Sequence, residues 1–114
     1  MFDPQCPTRV VLDRLGDKWT VLVVALLEDG PLRFTQLRDG IGGVAPKVLT
    51  ETLRSLERDG LVTRTVFAQV PPRVDYELTE VGRSLAQPLD VLRDWAEVHV
   101  SAILESRRRY ESAS

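Results

Sequence analysis

The sequence predicts a mostly helical α+β fold with one β-hairpin, and three observations predict it. Apolar residues recur at helical spacing before and after residues 61–78. Within that stretch, two runs rich in Val, Thr, Phe and Tyr flank a Pro-Pro pair, which is typical of two strands and a turn. The 114 residues contain no repeat and no low-complexity linker, so we expect one domain with a core of about residues 6–105 and frayed ends.

Proline, glycine and capping residues divide the first half of the chain into four predicted helices. Pro7 can open the first helix, because its missing N–H costs little in a first turn, and Asp17 is a good N-cap for the second. Gly40 closes a short third helix, and Pro46 opens a fourth, which Gly60 ends. The predicted helices cover about residues 7–15, 18–29, 35–39 and 46–59.

The second half predicts the hairpin and one long helix. The strands are predicted at Leu61–Val70 and Arg73–Leu78, since apolar and charged residues alternate along the second run. Thr79 is a suitable cap for the last helix, which reaches about Arg109. Pro88 predicts a break or a fresh start within that helix.

The order of these elements narrows the fold class. A short helix, a tight glycine turn and a second helix followed by a hairpin is the plan of a winged helix-turn-helix. The predicted fold class is therefore α+β, mostly α: a winged helix-turn-helix with a two-stranded β wing.

The predicted helix at residues 46–59 has two contrasting faces. Leucines share one face, and Lys47, Thr50, Glu51 and Arg54 lie on the opposite one. These side chains suit DNA, because Arg and Lys pair with guanine, Glu accepts from cytosine, and Thr touches the thymine methyl. A solvated amphipathic helix would show the same pattern, so this helix alone leaves both interpretations open.

The hairpin that follows favours DNA binding. Its Val-Pro-Pro-Arg tip presents Arg73, and Arg64 lies on the partner strand, where cations can meet phosphate or the minor groove. A solubilising charge in a turn is the alternative for Arg73. Residues 44–76 hold five basic and four acidic residues, so one copy would bind DNA weakly and a dimer would double the contacts.

Composition and charge limit the partners and the cellular location that we expect. A net charge of −2 and a pI near 5.4 argue mildly against a nucleic-acid partner, whose usual footprint is basic. No apolar run approaches the roughly 20 residues of a membrane span, and the first residues lack the apolar stretch of a signal peptide. The single cysteine permits no internal disulfide. We therefore expect a cytoplasmic protein that contacts no membrane.

The sequence shows none of the residue patterns that commonly support catalysis. It contains no glycine-rich phosphate loop, no metal-ligand cluster and no nucleophile with a plausible base, so we expect neither an enzyme nor a cofactor. His99 stands without a partner at metal-ligand spacing and is interpreted as an interface or core residue. A winged helix that binds another protein and no DNA remains an alternative.

Three separated blocks resemble the HxlR-type winged helix-turn-helix regulators of bacteria, which are distant relatives of the MarR-type regulators. The resemblance covers Cys6 to about Trp95, in matching order and spacing. It implies a dimeric transcription regulator, which we expect to be a repressor that binds an inverted repeat in double-stranded DNA. The matching blocks read CPTRVVLDRLGDKWT, GPLRFTQLRDGIGGVAPKVLTETLRSLERDGLV and VPPRVDYELTEVGRSL.

The resemblance also implies roles for individual residues. The recognition helix would begin near Pro46, and the dimer would form through the N-terminal and C-terminal helices. The implied DNA contacts are Thr35, Pro46, Lys47, Thr50, Glu51, Arg54, Arg64 and Arg73. The implied interface residues are Val10, Leu92, Trp95 and His99.

Two departures from the family pattern predict an unusual operator. Many members have Ser where this chain has Ala45, which is a poor N-cap. Many also have a Gln-Arg pair where this chain has Glu51 and Thr52. The substitutions would remove an adenine reader and a cation, so we expect an operator unlike those of other members.

An oxidant or a small molecule is the predicted effector. Several family members sense oxidants or electrophiles through a cysteine at the position of Cys6, and a helix N-terminus lowers a thiol pKa. A buried, inert cysteine is the alternative. Trp19 and Trp95 are expected in the core or the dimer interface, and a pocket for an aromatic ligand is the alternative for both.

Overall fold

The computed structural model describes residues 5–113, apart from the side chain of Val10. Four helices precede a two-stranded antiparallel sheet and one helix follows it, so the predicted winged helix-turn-helix is confirmed. The elements are α1 (Pro7–Leu15), α2 (Lys18–Leu27), α3 (Phe34–Ile41), α4 (Pro46–Arg58), β1 (Val62–Phe67), β2 (Arg73–Leu78) and α5 (Glu80–Ala113).

The core lies where α2, α3, α4 and the base of the wing meet. Because α2 is apolar on most sides, it can be covered by helices and sheet together. The buried hydrophobic residues are Val23, Val24, Leu27, Leu37, Val44, Leu49, Leu53, Leu56, Val62, Leu78 and Leu89. This core fixes α4 by its leucine face and leaves the opposite face outside.

The third helix is longer than predicted at both ends. It begins at Phe34, because the Gln36 side chain accepts a hydrogen bond of 2.8 Å from the Arg33 N–H. Gly40 does not end it, and instead lies against the Leu26 side chain, where an added Cβ would be 3.0 Å from Cδ1. The turn to α4 is made by Gly42 and Gly43, whose φ angles of 69° and 73° favour glycine.

The wing is a short hairpin in which Val62 pairs with Leu78 and Phe67 with Arg73. The first strand is shorter than the predicted 61–70, because Pro71 and Pro72 have no N–H with which to extend the ladder. Residue Leu32 adds a single bridge to Tyr76, with N–H···O distances of 3.0 and 2.8 Å. The segment between α2 and α3 is therefore attached to the sheet.

One junction joins α4, both strands and α5. The Thr79 hydroxyl donates to the Gly60 carbonyl at 2.6 Å and accepts from the Gly82 N–H at 3.1 Å. The Leu61 carbonyl accepts from the Thr79 N–H at 3.0 Å. Buried Gly82 lies directly over that carbonyl, where a Cβ would be 2.1 Å from the oxygen.

The last helix is continuous, so the expected break at Pro88 is wrong. A proline removes one hydrogen bond from a helix, and the rest of this 34-residue helix continues on both sides. It ends at Ala113, beyond the predicted Arg109. Residues 91–113 are all exposed, and α2 ends earlier than expected, at Leu27.

We predict that Gly82→Ala destabilises the protein by about 3 kcal/mol, because the new methyl group overlaps a backbone carbonyl that cannot move alone. The free energy of unfolding in urea measures the loss. Gly16→Ala is the matched control, since its Cβ would be 3.5 Å from the nearest atom outside its neighbours, an ordinary contact. Equal stability of the two variants would contradict the proposed close contact.

Candidate nucleic-acid interface

The outer face of α4 presents the side chains that the sequence predicts for it. Lys47, Glu51 and Arg54 are exposed, while Leu49 and Leu53 on the opposite face are buried. The period of the α-helix places the two sets of side chains on opposite faces. The apolar face packs on α2 and on the wing base, so the polar face stays exposed. The N-terminal half of α4 is therefore free to enter a groove.

Two threonines of α4 differ in their surroundings. Thr50 is half-buried, and its hydroxyl donates to the Pro46 carbonyl at 2.9 Å, so its methyl group is the part left for contact. Thr52 is only 5% exposed, and its hydroxyl donates to the Val48 carbonyl at 2.9 Å. Position 52 therefore faces the core in this chain, and Thr52 takes no part in the outer face of α4.

The amino end of α4 has no side-chain cap. Ala45 occupies the N-cap position with extended backbone, and Pro46, which is exposed, is the first helical residue. The next N–H groups, those of Lys47 and Val48, have no capping oxygen from residue 45. Helix N-termini of this kind favour phosphate.

A cleft of about 390 Å³ separates α4 from the wing and brings their charges together. Arg54 from α4 and Arg64 from β1 both line it, together with the carboxylate of Glu57, which the sequence had not singled out. The full lining is Thr50, Leu53, Arg54, Glu57, Arg64 and Tyr76. Thr35 is exposed in the first turn of α3 and lies outside this lining.

Arg73 is not a free cation at the tip of the wing. It opens β2, and its Nε and Nη2 donate to the Asp75 carboxylate at 2.9 and 3.0 Å. The guanidinium carbon also lies 5.3 Å from the centre of the Phe67 ring. The Arg73 side chain is 42% exposed and that of Asp75 is 12% exposed, so the pair is fixed at the surface.

The Arg73–Asp75 pair changes the acid–base properties of both groups. Hydrogen bonds from Arg73 hold the pKa of Asp75 below its usual value, and the same bonds raise the pKa of Arg73. Both residues are thus charged at neutral pH. Arg73, the predicted cation of the wing tip, is thus a cation whose charge is largely balanced by Asp75.

Unpaired cations do occur on this side of the molecule. Within residues 5–113, Lys47, Arg54 and Arg64 form no ion pair. Several other arginines are paired, among them Arg14 with Asp59 at 3.0 Å. Three unpaired positive charges therefore lie on α4 and β1. The other described cations without an ion pair are Lys18, Arg33, Arg107 and Arg109, which belong to other parts of the chain.

The predicted interface residues of α5 lie on an exposed stripe. Leu92 is 62% exposed and Trp95 56% exposed, and the Trp95 ring stacks on His99 with centroids 4.6 Å apart. Ile103 continues the stripe at helical spacing. The side chain of Val10 lies outside the described part of the structure, so its predicted place in the interface has no structural outcome.

Cys6 is the N-cap residue of α1 and is half-buried. The backbone N–H groups of Arg9 and Thr8 donate toward its sulfur and lower the pKa of the thiol. A lower pKa increases the thiolate fraction at neutral pH, and the thiolate is the nucleophile.

The two tryptophans lie in different surroundings. Trp19 is partly buried against the core, with the Lys18 ammonium 4.6 Å from its ring centre. Trp95 is on the exposed stripe of α5. The structure does contain a larger cavity, of about 560 Å³, but its lining includes neither tryptophan.

The part of the chain at residues 5–113 contains no group of three or more His, Cys, Asp and Glu residues placed to hold a metal ion. None of its helices combines the length and the apolar character that a membrane span requires.

Comparisons with known proteins agree with this geometry. The model of the HxlR-like helix-turn-helix family matches residues 14–103. The chain is 39% identical over 107 residues to the uncharacterized HTH-type transcriptional regulator YtfH of Escherichia coli (strain K12), covering 94% of this chain and 85% of the relative.

Two solved structures are also similar. The protein called transcriptional regulator ytfH, from Salmonella typhimurium, has a TM-score of 0.86 at 39% identity, over 95% of this chain and 96% of that one. The redox regulator HypR in its reduced form has a TM-score of 0.79 at 39% identity, over 89% of this chain and 99% of that one.

Proposed function

Because the chain belongs to the HxlR-like helix-turn-helix family of transcriptional regulators, we propose that it is a homodimeric, sequence-specific DNA-binding repressor. Its single domain would place α4 of each protomer in the major groove and the wing against the DNA backbone. The expected operator is an inverted repeat, because the two-fold axis of a dimer is mirrored in its half-sites.

The observation that carries the proposal is the cluster of unpaired cations on one side of the molecule. Lys47 and Arg54 project from the exposed face of α4, and Arg64 shares the adjoining cleft with Arg54. Unpaired arginines and lysines attract phosphates and release counterions. A net charge of −2 does not prevent this, because the charges nearest to DNA decide the local field.

Different side chains of this surface would contact different parts of the DNA. Lys47, Thr50, Glu51 and Arg54 would meet base edges, since recognition helices read bases mainly with their N-terminal residues. The uncapped end of α4 at Pro46 would receive a phosphate. Thr35, Arg64 and Arg73 would contact the backbone and set the position of the protein on DNA.

Arg73 would act through its fixed geometry more than through its net charge. Asp75 engages Nε and Nη2, so Nη1 is left to donate to DNA, and the Phe67 ring lies beside the guanidinium. An arginine that is already held in place loses less side-chain entropy when it binds.

The exposed stripe of α5 supports the dimer. A helix of this length with 23 exposed terminal residues, 91–113, is expected to need a partner, because most helical stability comes from packing. Leu92, Trp95, His99 and Ile103 would pack against the same residues of a second copy. Val10 would add to this interface from α1.

We predict that Arg54→Ala lowers affinity for the operator by about 1–3 kcal/mol and relaxes the sequence preference, because a base contact is lost. Arg64→Ala should weaken operator and unrelated DNA about equally, and reduce the salt slope by about 1 per protomer in contact. Fluorescence anisotropy titrations at several salt concentrations measure both effects.

Arg108→Ala, on the exposed end of α5, is the matched control and should leave binding unchanged. If Arg54→Ala and Arg64→Ala both bind like the unaltered protein, the proposed docking is wrong. A protein-interaction module without DNA binding, the alternative, would show no steep salt dependence with any DNA.

A second proposal concerns regulation: Cys6 responds to oxidants. The lowered pKa of its thiol favours reaction, and a similar structure is that of a redox regulator. With one cysteine in the chain, oxidation would join two protomers through a Cys6–Cys6 disulfide. Two thiols would give up two electrons and two protons, which an oxidant such as diamide accepts.

We predict that diamide weakens operator binding at least several-fold in the unaltered protein and leaves Cys6→Ser unaffected. Non-reducing electrophoresis should show a covalent dimer in the first case only, and the reaction should speed up with pH around a midpoint below the ordinary thiol value. Retention of the full oxidant response by Cys6→Ser would rule out this sensor.

A further inference from the structure

A cavity of about 560 Å³ lies between α1, the α4–β1 junction and the first half of α5. Side chains from three helices and from the turn after α4 form its walls, and its volume lies within the range of sites for small organic ligands. Six of its ten lining residues are apolar: Val11, Leu15, Leu61, Val81, Leu85 and Pro88.

The apolar walls are not covered by the rest of the chain. Val11, from α1, is 58% exposed and Val81, from α5, is 62% exposed. Covering apolar surface and releasing the water from it is favourable. The cavity therefore suits an apolar body of limited size.

One edge of the cavity carries an excess of positive charge. Arg14 donates from Nε to Asp59 Oδ2 at 3.0 Å, and Arg58 Nε is 3.8 Å from Asp59 Oδ1. Two guanidinium groups thus share one carboxylate. The terminal nitrogens of Arg14 take no part in the bond to Asp59 and can donate to a second anion.

We propose that this cavity binds a small organic anion, with an apolar body against Val11, Val81 and Leu85 and a carboxylate on Arg14. The apolar lining suits the body of such a ligand, and its carboxylate would balance the second guanidinium where Arg14 and Arg58 share Asp59. The site differs from the pocket that Trp19 and Trp95 would line under the alternative interpretation of those residues.

The position of the cavity gives such a ligand a regulatory effect, and this consequence rests on the proposed function. Arg58 and Asp59 end α4, while Leu85 and Pro88 belong to α5, so a ligand would touch the recognition helix and the dimerisation helix together. A ligand that favours one arrangement of these helices changes DNA affinity, and DNA changes ligand affinity by the same factor.

The test uses 2-naphthoate and its uncharged counterpart 2-naphthamide, titrated calorimetrically into the full chain without DNA. Naphthoate should bind saturably at one site per chain, and naphthamide about tenfold more weakly, because it lacks the charge-assisted bond to Arg14. Val81→Trp in α5 and Val11→Trp in α1 should each abolish binding by filling the cavity.

The matched control is Val66→Trp on the wing, where the unaltered residue is 54% exposed, and it should bind naphthoate normally. Circular dichroism confirms that each variant is folded. The absence of saturable binding, equal affinity for the amide, or unaltered binding by both cavity variants would overturn the proposal. Dissociation of a dimer by naphthoate, seen in light scattering, would show that a second copy occupies the cavity and would also overturn it.

Because no DNA is present, these results do not depend on the proposed DNA binding. Loss of the ligand site would leave the operator measurements standing, and failure of those measurements would leave the ligand site standing.

Discussion

The relative placement of α4, the wing and α5 depends on the junction at Leu61. Its N–H donates to Leu56 in the last turns of α4, and its carbonyl accepts from Thr79 between β2 and α5. Thr79 also bonds Gly60, whose φ of 76° turns the chain out of α4. Gly82 completes the contact, because no other residue fits over the Leu61 carbonyl. A few backbone groups thus orient α4 relative to the wing and to α5.

Pairing of charges explains how an acidic chain can still suit DNA. Seven arginines of residues 5–113 are matched with carboxylates, so they add little to the outer field. Among the unpaired cations, Lys47, Arg54 and Arg64 share α4 and β1, whereas Lys18, Arg33, Arg107 and Arg109 belong to other parts of the chain. Arg73 is the intermediate case, since Asp75 balances its charge while fixing its direction. Position, more than the number of basic residues, determines the proposed interface.

Local patterns predicted the elements and the two faces of α4, because helical periodicity and capping residues act within a few positions. The Arg73–Asp75 pair could also have been predicted, since residues two apart on a strand share a face and these two have opposite charges. The inward orientation of Thr52 follows from its angle on the same helix. Sequence reasoning failed at Pro88, where the rest of a long helix outweighed one lost hydrogen bond. The cavity could not be predicted from the sequence, because it depends on where α1 lies relative to α4 and α5. That tertiary arrangement has no local sequence signal.

The central claim is that a dimer reads a symmetric site through α4. Selection of bound DNA from a random pool, followed by sequencing, tests it most directly. We expect enrichment of an inverted repeat with half-site centres about one helical turn apart. Arg54→Ala should alter the preferred bases without changing that spacing. Enrichment of no sequence, or of a single asymmetric site, would contradict it.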